Sequence, residues 1–592
     1  MNKNSHFYEK EDYIVDDYGV LYYTQTTDKG TTIAPIANHA PMLQRILHKD
    51  DGFSVTEQIE FSARRNKHQE PPVCIDKKTM IGNQPQVNFS PGCRIYIGRG
   101  NVAHYSEFMQ MQCEDAKTET IYSHTGWIQT GKGEKVFLNG LNSIDKNGLT
   151  EKYSVELSPD FRRFCFYPVD DSTEDCFKTV LTDFPKAVPD WVYVPLIAYV
   201  FMTPLNGLMR DKGKEPCFSF YLIGKTGSFK SSISKLLLCF FGLFNYSDTS
   251  PITFLDTQNA IGRKLAVGAD IPLLLDDRRP TNNAYDKSRY EGIEKFISSA
   301  IGDRAARGRL NADSTAKVSY IAKSNLFVTA EEAFVNIGSS SIARSVSVEI
   351  QPDTVNFDRL QELQDKPQHF NKIMQLYIQW VILHYEQLEK NCDDTFKRFR
   401  KSFADAGHAR LATAFSQLLY GYSVFLYFCK DNGQINDEIC SALLNKAQKI
   451  FLSLCEKQSK KVESEKPTNL FCELLSEMIE TRRVSIIDLK KSDTGNIITS
   501  SKTIGYKDDE YIYLIPQVTY TEITKFYSES GYTFPASKTS IWKMLADEGK
   551  ITPDVSKNGI VRTDKRKKIG NKTARYIWLR ADVLENFESE EN

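Results

Sequence analysis

The stretch from Gly224 to Ser232 constrains the fold of this chain more than any other part of the sequence. A compact apolar run ends at Ile223, and an apolar helical pattern follows from Ser231. A strand, a glycine-containing loop, Lys-Ser and a helix, in that order, are what a phosphate-binding P-loop needs. Backbone N–H groups of such a loop and of the helix N-terminus point at phosphates. We predict a nucleotide site whose residues are Gly224, Gly227, Lys230, Ser231 and Ser232.

Within this loop the expected roles differ. Lys230 should reach the β and γ phosphate oxygens, and the Ser231 hydroxyl should bind Mg²⁺. Phe229 departs from the pattern, because it stands where a P-loop has its second glycine. The alternative interpretation is an ordinary strand-to-helix turn that contains glycine, which leaves Lys-Ser at the helix start as a coincidence.

Two later apolar runs also end in polar residues. The run from Ile271 to Leu275 is followed by Asp276 and Asp277, and a third run ends at Thr329. Continuous apolar runs are typical of buried parallel strands, and ligands bind at the carboxyl ends of such strands. We assign Asp276 to the metal, Asp277 to the attacking water and Thr329 to sensing the γ-phosphate. The acid pair alone is equally compatible with a loop turn, but the order of the three strands predicts a nucleotide hydrolase.

Composition limits the class of protein. The chain has 592 residues, which predicts three or four domains, and its formal net charge of −1 leaves any nucleic-acid surface to a local patch. Its 12 cysteines form no C-x-x-C pair, so we expect reduced thiols in a cytoplasmic protein and no structural zinc. The polar start of the chain predicts no signal peptide. The apolar stretch from Trp191 to Met209 contains two prolines and is expected to be a buried helical pair, not a membrane span.

The pattern along the chain predicts an α/β multidomain protein. The expected order is a β-rich N-terminal domain, a helical connector, a P-loop ATPase core, a helical lid with a linker, and a C-terminal winged helix. The predicted boundaries are 1–180, 181–215, 216–350, 351–466 and 467–592.

Two arginines are candidates for contact with nucleotide. Arg344 comes directly before a predicted strand, where ring ATPases present a finger to the neighbouring subunit's γ-phosphate. A surface arginine on a loop is the alternative. Arg410 opens a strongly apolar helix after the core, where it would clamp nucleotide in its own or an adjacent subunit.

Two basic segments are candidates for DNA contact. A predicted hairpin between the acid pair and the third strand carries Arg307, Arg309 and Lys317, and a solvated hairpin or inter-subunit ion pairs explain it nearly as well. The second segment is the wing of the C-terminal unit, where residues 557–580 hold nine basic residues and a single acid. Phosphate contact is favoured there over protein docking. The wing residues assigned to DNA are Arg562, Lys565, Arg566, Lys567, Lys568, Lys572 and Arg575.

With these residues placed, the chain resembles the AAA+ ATPases carried by bacterial mobile elements and phages, and among them the MCM-like, self-loading replicative helicases of staphylococcal cassette chromosome elements. The resemblance covers most of the chain, including Gly224–Ser231, Leu275–Asp277, Phe327–Glu331, Ala343–Ile350 and the helix of Arg410. It implies an AAA+ core, a hexameric ring, ATP and Mg²⁺, and movement on single-stranded DNA. Phe229 and Asp277, which stands where glutamate is usual, depart from the family pattern.

The leading hypothesis is therefore an ATP-driven helicase that acts on single-stranded and forked DNA, together with replication proteins of the same element. Two alternatives remain open. One is an origin-binding initiator in which ATP only orders the assembly. The other is an ATP-dependent remodeller of transposition complexes that does not separate strands.

Overall fold

The structure is a computed structural model that describes residues 6–584, except for 29, 115, 246–247, 249, 306–318, 333–337, 491–499, 531, 557–558, 560 and 571. Helices and strands are both abundant and are distributed over several hydrophobic cores. The chain is a mixed α/β multidomain protein.

The first part of the chain is mainly β, as the turn pattern predicts. Strands β1 to β4 form one antiparallel sheet, and β5 to β9 with β14 form a second sheet of order β14-β9-β5-β6-β7, in which β8 also pairs with β6. A third, antiparallel sheet is built from β10 to β13 in sequence order. The elements are β1 (His6–Lys10), β2 (Tyr13–Asp16), β3 (Leu21–Thr27), β4 (Gly30–Ala37), β5 (Ala40–Asp50), β6 (Val55–Arg65), β7 (His68–Gln69), β8 (Val73–Ile75), α1 (Lys77–Met80), α2 (Asn101–Glu114), β9 (Thr118–Tyr122), β10 (Gly126–Gln129), β11 (Lys135–Leu138), β12 (Ser143–Asp145), β13 (Gly148–Thr150) and β14 (Ser154–Val155).

These sheets belong to two different hydrophobic cores. The first core contains α2 and the first two sheets, from Tyr13 to Met111. The sheet of β10 to β13 instead contributes Phe137 and Ile144 to the large core that continues through Val462. The boundary predicted at residue 180 therefore lies inside a continuous core.

A helical connector follows, and it is almost wholly buried from residue 190 on. It comprises α3 (Thr173–Lys178), a π-helical turn (Thr179–Asp183), α4 (Phe184–Ala187), α5 (Asp190–Met202), a 3-10 turn (Thr203–Leu205) and α6 (Asn206–Asp211). The segment Asp190–Asp211 is long and apolar enough to cross a membrane, but 94% of an apolar 18-residue window within it is buried inside the protein. Its place among the other helices is that of a core element, as expected from its two prolines.

The central sheet is parallel and has the strand order β16-β17-β15-β18. Its elements are β15 (Ser219–Ile223), α7 (Lys230–Leu238), α8 (Gln258–Val267), β16 (Pro272–Arg278), α9 (Ala284–Gly302), β17 (Asn325–Ala330), α10 (Ser339–Ile342) and β18 (Ser345–Glu349). The strands are fully buried for most of their length, which is why they are continuous apolar runs in the sequence. All carboxyl ends lie at one edge, so the P-loop, the acid pair and Thr329 are brought side by side.

The helical region after the core packs on the buried connector. It comprises α11 (Phe357–Gln364), α12 (Pro367–Leu383), α13 (Tyr385–Ser402), α14 (Ala409–Asp431) and α15 (Asp437–Ser464). Helix α14 crosses α5 closely, and Phe425 stacks on Phe201 with the ring centroids 4.1 Å apart. Gly421 lies at this crossing, where a Cβ would be 2.4 Å from the Cβ of Met202.

The C-terminal unit has its own cores, one on each face of a sheet of order β19-β20-β21-β25-β24. Its elements are α16 (Pro467–Glu480), β19 (Ser485–Asp488), β20 (Thr503–Lys507), β21 (Tyr511–Leu514), α17 (Pro516–Glu529), α18 (Lys538–Asp547), β22 (Asp554–Val555), β23 (Val561–Arg562), β24 (Lys565–Ile569) and β25 (Lys572–Arg580). Three helices pack on one face, and β24 and β25 form a hairpin. The helix predicted from Ser537 is α18, whose N-terminal amide at Ser540 is capped by the Ser537 hydroxyl.

Candidate functional site

The loop between β15 and α7 needs glycine at Gly224 and favours it at Gly227. A Cβ at Gly224 would lie 2.4 Å from the carbonyl oxygen of Ile350, so only glycine fits between the strands. The Gly224 amide donates to the carbonyl of Ala330 at 3.0 Å, which ties the loop to the end of β17. Gly227 has φ +84°, a conformation that costs glycine little. The loop conformation thus explains both predicted glycines.

Phe229 takes the conformation of the glycine that it replaces. Its backbone has φ 62° and ψ 20°, in the left-handed region directly before α7. For a residue with a side chain this conformation costs about 1–2 kcal/mol. The ring is partly buried and packs against Phe357 on α11, with the ring centroids 5.5 Å apart. Ring packing therefore offsets backbone strain, and the departure from the P-loop pattern leaves the helix start in place.

Lys230 is the first residue of α7 and is only 8% exposed. Its ammonium donates to the carbonyl of Gly224 at 2.6 Å and to that of Lys225 at 3.0 Å. Burial lowers the pKa of Lys230 below its ordinary value, while the nearby carboxylates of Glu331, Asp277 and Asp276 act in the opposite direction. The cation is thus held inside the loop, over the place where the loop amides and the start of α7 converge. Ser231 and Ser232 follow in the first turn of the same helix.

Three predicted residues from three elements form one hydrogen-bonded cluster. The Ser231 hydroxyl donates to Asp276 Oδ1 at 3.0 Å, and the Thr329 hydroxyl donates to the same carboxylate oxygen. Thr329 Oγ1 also accepts from the backbone N–H of Asp277 at 2.8 Å. Thr329 therefore links both acids of the pair to β17.

The donor set fits a magnesium ion. Hydroxyl and carboxylate oxygens are the ligands that Mg²⁺ prefers, and it usually takes one or two carboxylates together with substrate phosphates. Ser231 and Asp276 supply these two oxygen types within hydrogen-bond distance of each other. Among the described residues there is no group of three or more His, Cys, Asp or Glu that could hold a metal without phosphate. ATP phosphates would complete such a site.

Asp277 differs from Asp276 in conformation and in partner. It has φ 73°, and the pairing of β16 with β17 shifts register between Leu275 and Arg278, so the acid pair lies in a bulge. Its half-exposed carboxylate forms an ion pair with Arg279. The ion pair engages one carboxylate oxygen, Oδ2.

Other charged residues lie around the strand ends, and sequence reasoning noted Glu331 among them as part of a polar strand tip but missed the rest. The buried Arg278 lies 3.5 Å from the carboxylate of Glu294 on α9 and 3.4 Å from that of Glu332. The Thr226 hydroxyl donates to Glu331 at 2.5 Å, which joins the P-loop to the tip of β17. The sequence signal of Thr226, Arg278, Glu331 and Glu332 is their position a few residues beyond a predicted strand end, and Glu294 has no such signal.

The two candidate arginines lie at the opposite edge of the sheet. The amide of Ser219, at the start of β15, donates to the carbonyl of Arg344 at 3.1 Å. Strand β15 separates this point from the P-loop, and at about 3.3 Å per residue its five residues span roughly 16 Å. Arg344 Nε and Nη2 both donate to Asp303 Oδ1, at 3.0 and 2.8 Å. Arg410 Nη1 lies 3.6 Å from the same oxygen.

The predicted hairpin residues Arg307, Arg309 and Lys317 lie outside the described residues. The segments on either side are held tightly. Arg304 donates to the carbonyl of Ala322 at 2.7 Å and so joins the two flanks. Lys323 donates to the carbonyl of Gly52 at 2.6 Å, which attaches the flank to the N-terminal region.

The wing residues fall into two groups. Arg562, Arg566, Lys568 and Lys572 are exposed to solvent. Lys565, Lys567 and Arg575 are engaged within the C-terminal unit. The Lys565 ammonium lies 4.4 Å from the ring centroid of Trp578.

The other engaged residues pair with acids. Lys567 donates to Asp508 at 3.0 Å, and its ammonium lies 3.7 Å from the ring centroid of Tyr513. Arg575 donates to Asp564 and to Asp554, both at 2.9 Å. Side chains alternate between the faces of a strand, which places Arg566 and Lys568 of β24 on the face opposite to Lys565 and Lys567. A count of basic residues in the sequence does not separate these groups.

No protein-family model matches this chain, and no curated protein matches it. Among solved structures, the chain is similar to SCCmec type IV Cch, an active helicase, with a TM-score of 0.60, 12% identity and coverage of 98% of this chain and 100% of that one. The A form of the NrS-1 C-terminal region, an apo structure, matches with a TM-score of 0.29, 11% identity and coverage of 90% and 95%. A JCV helicase with a bound small molecule has a TM-score of 0.19, 12% identity and coverage of 41% and 72%. The first likeness is one of fold across nearly the whole chain.

Proposed function

We propose that this chain is an ATP-driven DNA helicase of the AAA+ class, which works in the cytoplasm as a hexameric ring in the replication of a mobile genetic element. One observation carries the proposal: Lys230, Ser231, Asp276 and Thr329 converge at the carboxyl edge of a parallel sheet. The fold likeness to SCCmec type IV Cch, an active helicase, supports the choice among nucleotide hydrolases.

In this proposal the P-loop edge binds and cleaves ATP. Lys230 and the loop amides hold the β and γ phosphates, while Ser231 and Asp276 hold Mg²⁺. The bound ion would neutralise charge that develops on the phosphate oxygens. Asp277 orients a water molecule and accepts its proton as the new bond to the γ-phosphorus forms and the bond to the ADP oxygen breaks. Thr329 contacts both acids and responds to the presence of the γ-phosphate.

The opposite edge serves a neighbouring subunit. The backbone of Arg344 lies a strand's length from the P-loop of its own chain, and we assign its guanidinium to the site of the next subunit in a head-to-tail ring. Arg410 lies beside it, which favours the adjacent-subunit role over the role in its own site. The residues Arg307, Arg309 and Lys317 would line the DNA channel, and the exposed wing residues would recruit DNA together with α18 as a winged helix.

Strand separation tests this proposal. A forked DNA substrate is incubated with ATP and Mg²⁺ and with wild type or Lys230→Ala, and the released strand is measured. We expect unwinding by wild type and none by the variant, with the same thermal unfolding midpoint for both. Unwinding that survives the substitution would refute the assignment.

A second candidate function is an origin-binding initiator that does not unwind DNA. The exposed Arg562, Arg566, Lys568 and Lys572 favour it, because a basic exposed surface suits duplex DNA. It predicts tight, sequence-dependent duplex binding by the full chain, little stimulation of ATP turnover by DNA, and no strand release from the fork. The helicase proposal predicts strong stimulation by single strands.

A further inference from the structure

Asp303 is the one described carboxylate that contacts both candidate arginines. It follows the last residue of α9 as the C-cap, and its carboxylate is partly exposed at the amino edge of the central sheet. No role was predicted for it, because in the sequence it is only the residue before a basic segment.

The Arg344 side chain is fixed in one orientation. Nε and Nη2 donate to Asp303 Oδ1 at 3.0 and 2.8 Å, and Nη1 donates to the carbonyl of Ser340 at 3.0 Å. All three guanidinium nitrogens are thus held, from two directions, and the side chain is only 14% exposed. Charge-assisted bonds of this kind are short and directional, so they hold a guanidinium more firmly than a single contact does.

Gly302 makes room for this arrangement. A Cβ at Gly302 would lie 2.3 Å from Cδ, 2.8 Å from Cγ and 3.0 Å from Cβ of Arg344. The whole aliphatic stem of Arg344 therefore lies against the last turn of α9, where only glycine leaves space. This contact is independent of the ion pair and points to the same function, namely control of where the guanidinium lies.

Arg410 adds a second cation to the same carboxylate. Its Nη1 lies 3.6 Å from Asp303 Oδ1, and its side chain is 50% exposed. Two guanidinium groups so close repel each other, and one carboxylate between them offsets the repulsion but leaves a net charge of about +1. A pair of arginines with net positive charge is suited to binding a phosphate group.

We propose that Asp303 and Gly302 form a cradle that positions Arg344 and Arg410 together as a two-arginine clamp on the ATP phosphates of the neighbouring subunit. This inference rests on the proposed function, because it needs an ATP site shared between copies of this chain. Asp303 is a positioning residue: it acts through the arginines and touches no phosphate. Misplacing a catalytic group by about 1 Å can cost on the order of 10²-fold in rate.

The test compares the kinetics of ATP hydrolysis by the full-length protein with single-stranded DNA present. We expect Asp303→Asn to lower kcat by about 10-fold to 10²-fold and to leave KM within about 3-fold, since its own P-loop is untouched. Asp303→Glu should recover part of the rate. The double variant Asp303→Asn with Arg344→Ala should be no slower than Arg344→Ala alone, because both changes remove one interaction.

Gly302→Ala provides a second variant that should fold. Alanine favours a helix by about 1 kcal/mol over glycine, so α9 is not weakened, yet the added methyl group displaces Arg344. We expect kcat to fall here as well. Glu529→Gln is the matched control, because it breaks an ion pair with Arg483 in the C-terminal unit and should leave ATP turnover unchanged.

The possible failures are distinct. Turnover that is lost in Arg344→Ala but unchanged or raised in Asp303→Asn would overturn the cradle alone. Reductions in rate that multiply in the double variant would also overturn it, since Asp303 would then act elsewhere. A wild-type protein without ATP turnover, or an Arg344→Ala variant with full turnover, would overturn the shared ATP site and the cradle with it.

Discussion

The two edges of the central sheet are organised differently. At the carboxyl edge, Ser231, Asp276 and Thr329 are joined by hydrogen bonds within one chain, and the ammonium of Lys230 is bonded to the carbonyls of the adjoining loop. At the amino edge, Arg344 and Arg410 share the carboxylate of Asp303 and keep a net positive charge. We propose that one edge holds phosphates, and the other carries cations about 16 Å away from it. In the proposed function, a second copy of the chain brings the two halves together.

The largest expected difference between the two edges of the sheet is in nucleotide binding by the isolated subunit. We expect Lys230→Ala and Arg344→Ala each to lower ATP turnover by about 10³-fold, because each removes a cation from the developing charge on phosphate. Only Lys230→Ala should also abolish nucleotide binding by the isolated subunit, since Arg344 lies away from its own P-loop. Fluorescent ATP titration and kcat measurement check this pair. Equal loss of binding in both variants would contradict the separation.

The wing provides a second comparison, between basic residues that are exposed and a lysine that is paired with an acid of the same unit. We expect Arg566→Gln with Lys568→Gln to weaken duplex binding and to reduce the dependence of log K on log salt by up to about 0.9 for each DNA phosphate that the variant no longer neutralises. Lys567→Gln should leave that salt dependence unchanged, because its ammonium is held by Asp508. Binding titrations from low to moderate salt measure both. The same change of slope in both variants would contradict the assignment of the DNA contacts to the exposed residues of β24.

Phe229 offers a smaller test, of strain in the loop. Phe229→Ala should be less stable than Phe229→Gly by about 1–2 kcal/mol in the free energy of unfolding, because φ 62° strains alanine but not glycine. The matched control is Lys235 in the middle of α7, where alanine should be more stable than glycine by about 1 kcal/mol. Denaturant unfolding measures all four variants. The same order at both positions would argue against the strained conformation.

The carboxyl edge could be predicted from the sequence because its signals are local. A glycine loop follows one apolar strand, two acids follow another, and parallel strands bring such ends together. The amino edge could be predicted only in part. Arg344 is marked by its place before β18, but Asp303 lies 41 residues earlier and no local pattern joins them. Strand order and the end of α9 determine that contact.

The wing shows a different limit. Charge counting treats Lys565, Lys567 and Arg575 like their neighbours, although tertiary contacts with Trp578, Asp508 and Asp554 occupy them. Strand alternation within β24 would have divided the lysines into two faces but would not have shown which face is covered. The domain boundary expected at residue 180 has the same limit, because the sequence does not show which core a residue enters. The β-rich residues on the two sides of Met111 look alike in sequence but enter different cores.

A mixture of two inactive variants tests whether the two edges belong to one shared ATP site. The Lys230→Ala variant retains Arg344 and Arg410 at the amino edge, and the Arg344→Ala variant retains an intact P-loop at the carboxyl edge. The two variants are combined in equal amounts under conditions in which labelled subunits are seen to exchange. Random head-to-tail assembly should join intact halves at about one interface in four, so ATP turnover should return to roughly a quarter of wild type. A mixture as inactive as its components, with exchange demonstrated, would contradict a site shared between neighbouring copies.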